Sequence, residues 1–201
     1  ILLLDEPFSA LDNYLRWQLE QKVAEVLELY PKPVLLVSHN RKEVYRLCDR
    51  VAVLCGGKME AIAPKQELFE LPRTVTVARL IGYKNISRIQ RLGARRVLAL
   101  DWGVELELKQ QVPETAGFVG FLPHSICPGR AGSKNIFGCR VLQVIENTFS
   151  MTVILQPERA SDLEDYNKLV WEMDKEEWND FQDGTEFITI TVEAGQILPL
   201  S

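Results

Sequence analysis

The stretch ILLLDEPFSALD at positions 1–12 places an unbroken apolar run directly before two adjacent carboxylates. Four aliphatic residues without polar alternation are typical of a central strand that is buried on both faces of a parallel sheet. Asp5 and Glu6 follow at the carboxyl end of this strand, which is where open α/β sheets bind their ligands. The stretch therefore predicts a buried strand with an acidic pair at the ligand-binding edge of a sheet.

The residues after this stretch alternate between helical and extended patterns. Apolar residues recur at helical spacing over 12–30, and Pro31 and Pro33 end that pattern. Further on, the sequence predicts strands at 34–37, 50–54 and 59–62 and a short helix at 41–47. Because strands and helices alternate, we expect an α/β layer with right-handed crossovers.

The pattern changes in the second part of the chain. Two short helices are expected at 64–71 and 74–81, the second ending at Gly82, and a domain boundary is expected near 83–87. Beyond it, short apolar segments between turn residues predict strands at 97–100, 104–108, 118–122, 139–145, 150–155, 169–173 and 187–192, with one helix at 175–181. So many short strands favour a small barrel of the oligonucleotide/oligosaccharide-binding (OB) type over a sandwich.

Composition excludes several classes of protein. The net charge is -5 and no basic stripe is visible, so nucleic acid is not an expected partner. No apolar run is long enough to span a bilayer, and no basic leader precedes the first residues, so we expect a soluble chain without a secretory signal. The 4 cysteines include no Cys-x-x-Cys pair, which argues against zinc and is typical of a reducing cytoplasm.

Two interpretations of the polar residues at the strand ends remain open. Acidic residues near a helix start are stabilised by the helix dipole, and most isolated histidines cap helices or lie on the surface. Alternatively, Asp5 can hold magnesium through water, Glu6 can polarise a water for attack on phosphorus, and His39 can donate a hydrogen bond to a phosphoryl oxygen. The position of His39 after a second buried strand favours this phosphate site.

The run DEPFSALD at 5–12, with Ser38-His39 after the next strand, resembles the Walker B, D-loop and switch-histidine motifs of ATP-binding cassette (ABC) ATPases. The resemblance implies that Asp5 is the magnesium-associated carboxylate, Glu6 the general base and His39 the γ-phosphate contact. It also implies that the loop from Ser9 to Asp12 crosses a dimer interface and contributes to the nucleotide site.

A softer match continues through 49–85 and resembles the end of the catalytic domain of importer ATPases, which leads into a β domain of the transport-associated (TOBE) type. The implied fold is the C-terminal half of an α/β P-loop NTPase domain at 1–85, followed by an all-β OB-like TOBE barrel at 86–201. The fragments at 85–87 and 100–104 resemble molybdate-type importers, whereas Leu122, Pro123 and His124 stand where the family usually has Arg-Pro-Glu.

The implied function is that of the ATP-hydrolysing subunit of an importer for molybdate or a related oxyanion. Such a subunit uses ATP and Mg²⁺, works as a homodimer with permease subunits on the cytoplasmic face of the membrane, and can carry an oxyanion effector site on its β domain. The chain contains no glycine-rich phosphate loop, signature motif or identifiable Q-loop before Asp5, and it starts abruptly inside an apolar run. We therefore expect a fragment of an ATPase that is inactive alone, because nothing in it cradles the phosphates.

Two alternatives stay open on sequence grounds. The chain could be a stand-alone oxyanion-sensing or dimerisation protein that retains only the role of the β domain and has no ATPase activity. It could also belong to a non-transport ATPase of the same superfamily. The coding sequence upstream of Ile1 would distinguish the first alternative, and a neighbouring permease gene would distinguish the second.

Overall fold

The computed structural model describes residues 1–130, 132–161, 167–179, 181 and 186–201. Contacts between Cα atoms divide the chain into two compact units, Ile1–Glu70 and Leu71–Ser201. No helix in the described ranges combines the length and the apolar character that a membrane crossing needs.

The first unit contains a parallel strand pair and an antiparallel hairpin. Its elements are β1 (Leu2–Asp5), α1 (Asn13–Leu29), β2 (Val34–Val37), α2 (Arg41–Leu47), β3 (Arg50–Cys55), β4 (Lys58–Pro64) and α3 (Lys65–Glu70). Strands β1 and β2 are parallel, with Asp5 opposite Val37, and α1 connects them. The strand–helix–strand prediction for this segment is therefore confirmed.

The predicted third strand does not join the parallel sheet. Strand β3 pairs only with β4 in the structure as described, in an antiparallel hairpin. The turn between them contains Gly56 and Gly57, both at positive φ (55° and 76°), which reverses the chain at once. The α/β layer expected from the alternating pattern is observed as a parallel strand pair and a separate antiparallel hairpin, so that prediction is confirmed only for β1, α1 and β2.

The prediction that β1 is buried on both faces is also wrong. Leu3 is 64% exposed and its partner Leu35 is 54% exposed, whereas Leu2 and Leu4 are half-buried. Half-buried and exposed side chains alternate along both strands, so one face of this two-stranded sheet is open to solvent. The apolar face of α1 is open in the same way, since Val26 is 61% exposed.

The second unit is built from two five-stranded antiparallel sheets. Its elements are α4 (Val75–Ile81), β5 (Asn85–Arg91), β6 (Arg96–Ala99), β7 (Val104–Glu107), β8 (Phe118–Phe121), a 3-10 turn (Pro123–Ser125), β9 (Ile126–Pro128), β10 (Ile136–Glu146), β11 (Ser150–Pro157), β12 (Leu169–Asp174), α5 (Lys175–Asn179), β13 (Phe187–Val192) and β14 (Leu198–Leu200). The strand orders are β14-β8-β5-β6-β7 and β12-β11-β10-β13-β9. The prediction of a β-rich second part is confirmed.

One buried amide connects the two sheets. The Asn85 side chain, fully buried on β5, donates from Nδ2 to the Val170 carbonyl at 2.9 Å and accepts the Val170 N–H at 2.7 Å. Val170 lies on β12 in the other sheet. The side-chain amide of Asn85 therefore bonds both the N–H and the carbonyl of a residue on a strand with which β5 does not pair. Both of its polar groups are satisfied, as burial requires. A core that includes Trp102 and Trp171 fills the unit.

The chain divides into its two compact units after Glu70, and α4 belongs to the β-rich unit. The Val75 N–H donates to the Ser201 carbonyl at 3.1 Å, and the Ser201 N–H donates to the Arg73 carbonyl at 2.9 Å. The assignment of 1–85 and 86–201 to two domain families stays a prediction. The expected helix at 175–181 is observed as α5 over Lys175–Asn179, and position 180 lies outside the described residues.

Candidate functional site

The candidate site is formed where β1 and β2 end. The two strands run parallel and in register, so their carboxyl ends lie side by side. Glu6 directly follows β1, and its N–H donates to the Val37 carbonyl at 2.9 Å. His39 follows β2 by two residues. The topology thus brings together two side chains that are 33 positions apart in the sequence.

Glu6 and His39 make a two-point contact through one oxygen. Glu6 Oε1 lies 2.8 Å from His39 Nδ1 and also accepts the His39 backbone N–H at 3.0 Å. Glu6 has a φ of 47°, a left-handed conformation that costs energy in a non-glycine residue. The structure therefore brings these two predicted site residues together, with a strained backbone at the carboxylate.

The contact fixes the tautomer of the imidazole. An ionised carboxylate only accepts hydrogen bonds, so the proton in this contact is on Nδ1. Nε2 is then an acceptor in the neutral ring and becomes a donor only in the imidazolium. The His39 side chain is 80% exposed, and among the described residues no partner occupies Nε2. The ring can therefore present its second nitrogen to a ligand.

The loop after Glu6 is held locally. The Ser9 hydroxyl donates to the Glu6 carbonyl at 3.0 Å, and Phe8, which sequence reasoning missed, is fully buried and anchors the turn. Asp12 caps α1, with its Oδ1 accepting the N–H groups of Tyr14 and Leu15 at 2.9 Å. These contacts give Ser9 and Asp12 structural tasks, and their participation in a nucleotide site stays a prediction.

Asp5 ends β1 with an exposed side chain at the same edge of the sheet. Among the described residues there is no group of three or more His, Cys, Asp or Glu that could hold a metal ion. Mg²⁺ usually keeps several waters and is held by one or two carboxylates together with the phosphates of a substrate. A single exposed carboxylate is compatible with such a site when a phosphate ligand supplies the other oxygens.

A buried carboxylate beside His39 escaped the sequence prediction. Glu43, on α2, is 3% exposed and accepts hydrogen bonds from Ser38 Oγ at 2.6 Å and Asn40 Nδ2 at 2.9 Å. The Asn40 side chain caps α2 by accepting the Lys42 N–H at 3.0 Å. The signal was present in the sequence, because Asn40 and Glu43 have the spacing of a capping box.

An open cleft of about 400 Å³ lies between α1 and α2, next to this network. It is lined by four basic side chains, one carboxylate, two asparagines and a tryptophan: Arg16, Arg41, Lys42, Arg46, Glu20, Asn13, Asn40 and Trp17. Glu20 is buried, and its Oε2 lies 2.6 Å from Arg46 Nη1. This pair neutralises part of the positive charge of the cleft.

The molybdate-like fragment at 100–104 has a structural role in the β-rich unit. Asp101 is fully buried and accepts from Arg88 Nη2 at 2.6 Å, from Arg88 Nε at 3.0 Å and from the Arg88 N–H at 2.8 Å. Trp102 is fully buried, with its ring 5.1 Å from that of Phe121. Trp102 is thus part of the core of the β-rich unit. His124 is exposed in the 3-10 turn.

Relatives of known name share part of this chain. The spermidine/putrescine import ATP-binding protein PotA of Nitratidesulfovibrio vulgaris is 41% identical over 86 residues, which are 43% of this chain and 23% of the relative. PotA of a Nostoc species is 29% identical over 187 residues, covering 82% of this chain and 49% of the relative. The chain thus spans less than half the length of these two relatives.

The chain was also compared with protein-family models and with solved structures. No protein-family model matches the chain. Among solved structures, the cytoplasmic molybdate-binding protein ModG is similar with a TM-score of 0.46 and 12% identity, over 59% of this chain and 97% of ModG. The sequence relatives confirm the resemblance based on the motifs: over the matched residues, this chain is related to the ATP-binding proteins of ABC importers.

Proposed function

We propose that this chain is part of the ATP-hydrolysing, energy-coupling subunit of an ABC importer. The observation that carries the proposal is the contact between Glu6 Oε1 and both the ring and the backbone N–H of His39. It unites a carboxylate and an imidazole at the carboxyl ends of two parallel strands, where such sheets bind ligands. The relatives named as import ATP-binding proteins support the same function.

In this function, Glu6 acts as the general base and His39 contacts the γ-phosphate. Only Oε1 of Glu6 contacts His39, so Oε2 can accept a proton from an attacking water. The ring of His39, oriented through Nδ1, can donate from Nε2 to a phosphoryl oxygen when it is protonated. Asp5 would hold Mg²⁺ through water, and the ion would neutralise part of the phosphate charge when ATP is bound.

The architecture and assembly follow from the same proposal. Residues 1–85 correspond to the C-terminal half of a P-loop NTPase domain, and 86–201 correspond to an OB-like barrel of the TOBE type. The subunit works as a homodimer, bound to permease subunits on the cytoplasmic face of the membrane. The loop from Ser9 to Asp12 faces the second subunit and contributes to its nucleotide site.

The class of transported solute has two candidates. The names of the sequence relatives favour a polyamine importer, whereas the fragments at 85–87 and 100–104 led to the prediction of molybdate or a related oxyanion. Arg88, the cation beside the second fragment, is engaged by buried Asp101. Calorimetry of the chain with molybdate, tungstate and sulfate tests for an oxyanion effector site: measurable binding supports it, and the absence of heat removes it.

A chimera tests the proposed catalytic function. The N-terminal part of the Nitratidesulfovibrio PotA, up to the position aligned with Ile1, would be joined to the whole of this chain. We expect Mg²⁺-dependent ATP hydrolysis, and we expect Glu6→Gln to lower it by about 10²–10⁴-fold, the usual contribution of a general base. Glu28→Ala, which removes an exposed carboxylate of α1, serves as the control and should leave the rate unchanged. An active chimera that is insensitive to Glu6→Gln would contradict the role of Glu6.

A further inference from the structure

We propose that Glu43 is a positioning residue, which holds the His39 segment in place and links it through Arg16 to the loop at 9–12. The inference rests on the proposed function for its catalytic meaning, but not for its geometry. Among the described residues, no hydrogen bond joins Glu43 to Glu6 or His39, so its effect on the site passes through the residues on either side of His39.

The first step is the fixation of both neighbours of His39. One oxygen of Glu43 accepts from Ser38 Oγ at 2.6 Å, and the other accepts from Asn40 Nδ2 at 2.9 Å. The Asn40 backbone N–H in turn donates to Ser38 Oγ at 3.0 Å, which closes a ring of hydrogen bonds among Glu43 and the two residues that flank His39. The peptide groups before and after His39 are thereby held, so the direction of its side chain is held as well.

The second step concerns the burial of this carboxylate. Glu43 is 3% exposed, and a buried carboxylate is tolerated only when its oxygens are hydrogen-bonded or paired with a cation. Both oxygens are hydrogen-bonded, and Arg16 Nε lies 3.8 Å from Oε1. That separation is too long for a hydrogen bond, so Arg16 contributes by charge attraction. The hydrogen-bonded ring beside His39 therefore depends on contacts at both ends of the Glu43 carboxyl group.

The third step connects the ring to the loop after Glu6. Arg16 Nη2 donates to the Leu11 carbonyl at 3.1 Å while its Nε faces Glu43. One guanidinium thus spans from the loop at 9–12, at the start of α1, to the carboxylate that holds Ser38 and Asn40. A displacement of the loop would move the guanidinium and, with it, the support of His39.

The chain offers an internal control for testing this proposal, because it contains only 2 histidines, His39 and His124. Their imidazole and amide signals would be recorded by ¹⁵N NMR in the complete 201-residue chain and in Glu43→Ala. We expect the signals of His39 to shift and broaden and its amide signal to move upfield, because the hydrogen bond from the His39 N–H to Glu6 is no longer held. The signals of His124, in the other compact unit, should not move.

Two further variants separate positioning from simple loss of structure. Glu43→Gln keeps the size of the side chain and can still hydrogen-bond to both Ser38 and Asn40, so the His39 signals should lie close to those of the unchanged chain. Glu28→Ala should leave the His39 signals at their original positions. If Glu43→Ala does not fold, Ser38→Ala removes one side of the ring and should shift His39 alone. Unchanged His39 signals in a folded Glu43→Ala chain would overturn the proposal. Since no nucleotide is present, this result is independent of whether the chimera hydrolyses ATP.

Discussion

His39 and Glu6 are joined in this structure by two hydrogen bonds to a single oxygen, at 2.8 Å from the ring and 3.0 Å from the backbone N–H. The consequence is chemical, because the carboxylate that would activate a water also sets the tautomer of the ring that would contact a phosphate. The proton on Nδ1 leaves Nε2 as a donor only in the charged ring. In the charged ring, Nε2 carries a second proton. A terminal phosphate that accepts a hydrogen bond from Nε2 would stabilise this charged form.

The 201-residue chain alone should not hydrolyse ATP. It contains no glycine-rich loop whose backbone N–H groups could surround the β- and γ-phosphates, and binding and charge stabilisation both depend on such groups. The measurement is phosphate release with ATP and Mg²⁺, with Glu6→Gln as the matched control. Magnesium-dependent turnover that Glu6→Gln removes would contradict this prediction.

The buried thiol of Cys139 should resist modification. Burial, with a smaller effect of the Glu158 carboxylate, raises the pKa of Cys139 to about 12, whereas Cys55 and Cys127 are exposed. Because the thiolate is the reactive form, a thiol reagent at neutral pH should label Cys55 and Cys127 in the folded chain and reach Cys139 only after unfolding. Fast labelling of Cys139, with a Cys139→Ser variant as reference, would count against the packing described.

The same shift makes stability depend on pH. The pKa of Cys139 is raised from 9.0 to about 12 in the folded chain, so the folded state keeps a proton that the unfolded state releases. Its contribution is complete below pH 9 and is lost as the pH rises toward 12. Urea unfolding between pH 8 and pH 11 should show falling stability, and the Cys139→Ser variant should show a weaker dependence. Stability that rises over this range would be incompatible with the burial of the thiol.

The Arg88–Asp101 ion pair should contribute more to the free energy of unfolding than an exposed ion pair of equal length. Asp101 is fully buried and its partner is half exposed, so Arg88→Ala leaves a buried carboxylate without its cation. We expect Arg88→Ala to lower the free energy of unfolding by about 3 kcal/mol, which is at the low end for breaking a buried ion pair. Arg96–Glu105, also at 2.6 Å but exposed at both ends, is the control, and Arg96→Ala should cost about 0–1 kcal/mol. If Arg88→Ala and Arg96→Ala lower the free energy of unfolding equally in urea, the buried pair is no more stabilising than the exposed one and the prediction is wrong.

The open face of the parallel strand pair should cause self-association. Leu3 and Leu35 lie opposite each other and are 64% and 54% exposed, and contiguous apolar surface of this kind favours association. Light scattering should show a concentration-dependent increase in mass, which the double substitution Leu3→Thr and Leu35→Thr reduces. A strictly monomeric chain at high concentration would disprove this expectation.

The sequence predicted best where a local pattern decides the structure. The apolar run at 187–192 is observed as β13 over the same residues, and α2 begins and ends where its pattern indicates. Strand β5, with the polar sequence NISRIQR, was missed because tertiary pairing rather than an apolar pattern defines it. The burial of β1 was overestimated because an unbroken apolar run does not reveal which elements will pack on each face of the sheet.

In the candidate site, too, some features could be predicted from the sequence and others depend on tertiary contacts. Adjacency of Glu6 and His39 could be expected from the parallel topology, since both follow strands of one sheet. The strained backbone of Glu6 and the ring of contacts centred on Glu43 could not, because they depend on the register of β1 with β2 and on the packing of α1 against α2. Short-range capping patterns gave the only signal for Glu43.

A double-mutant cycle in the chimera tests most directly whether Glu6 and His39 act on one terminal phosphate. ATP hydrolysis would be measured for the parent, Glu6→Gln, His39→Ala and the double variant. Each single change should reduce the rate by at least about 10²-fold, as expected for a general base and for a donor to developing charge. For residues that act as a unit, the double variant should be little slower than the worse single variant. A double variant whose loss equals the product of the two single losses would contradict a shared phosphate.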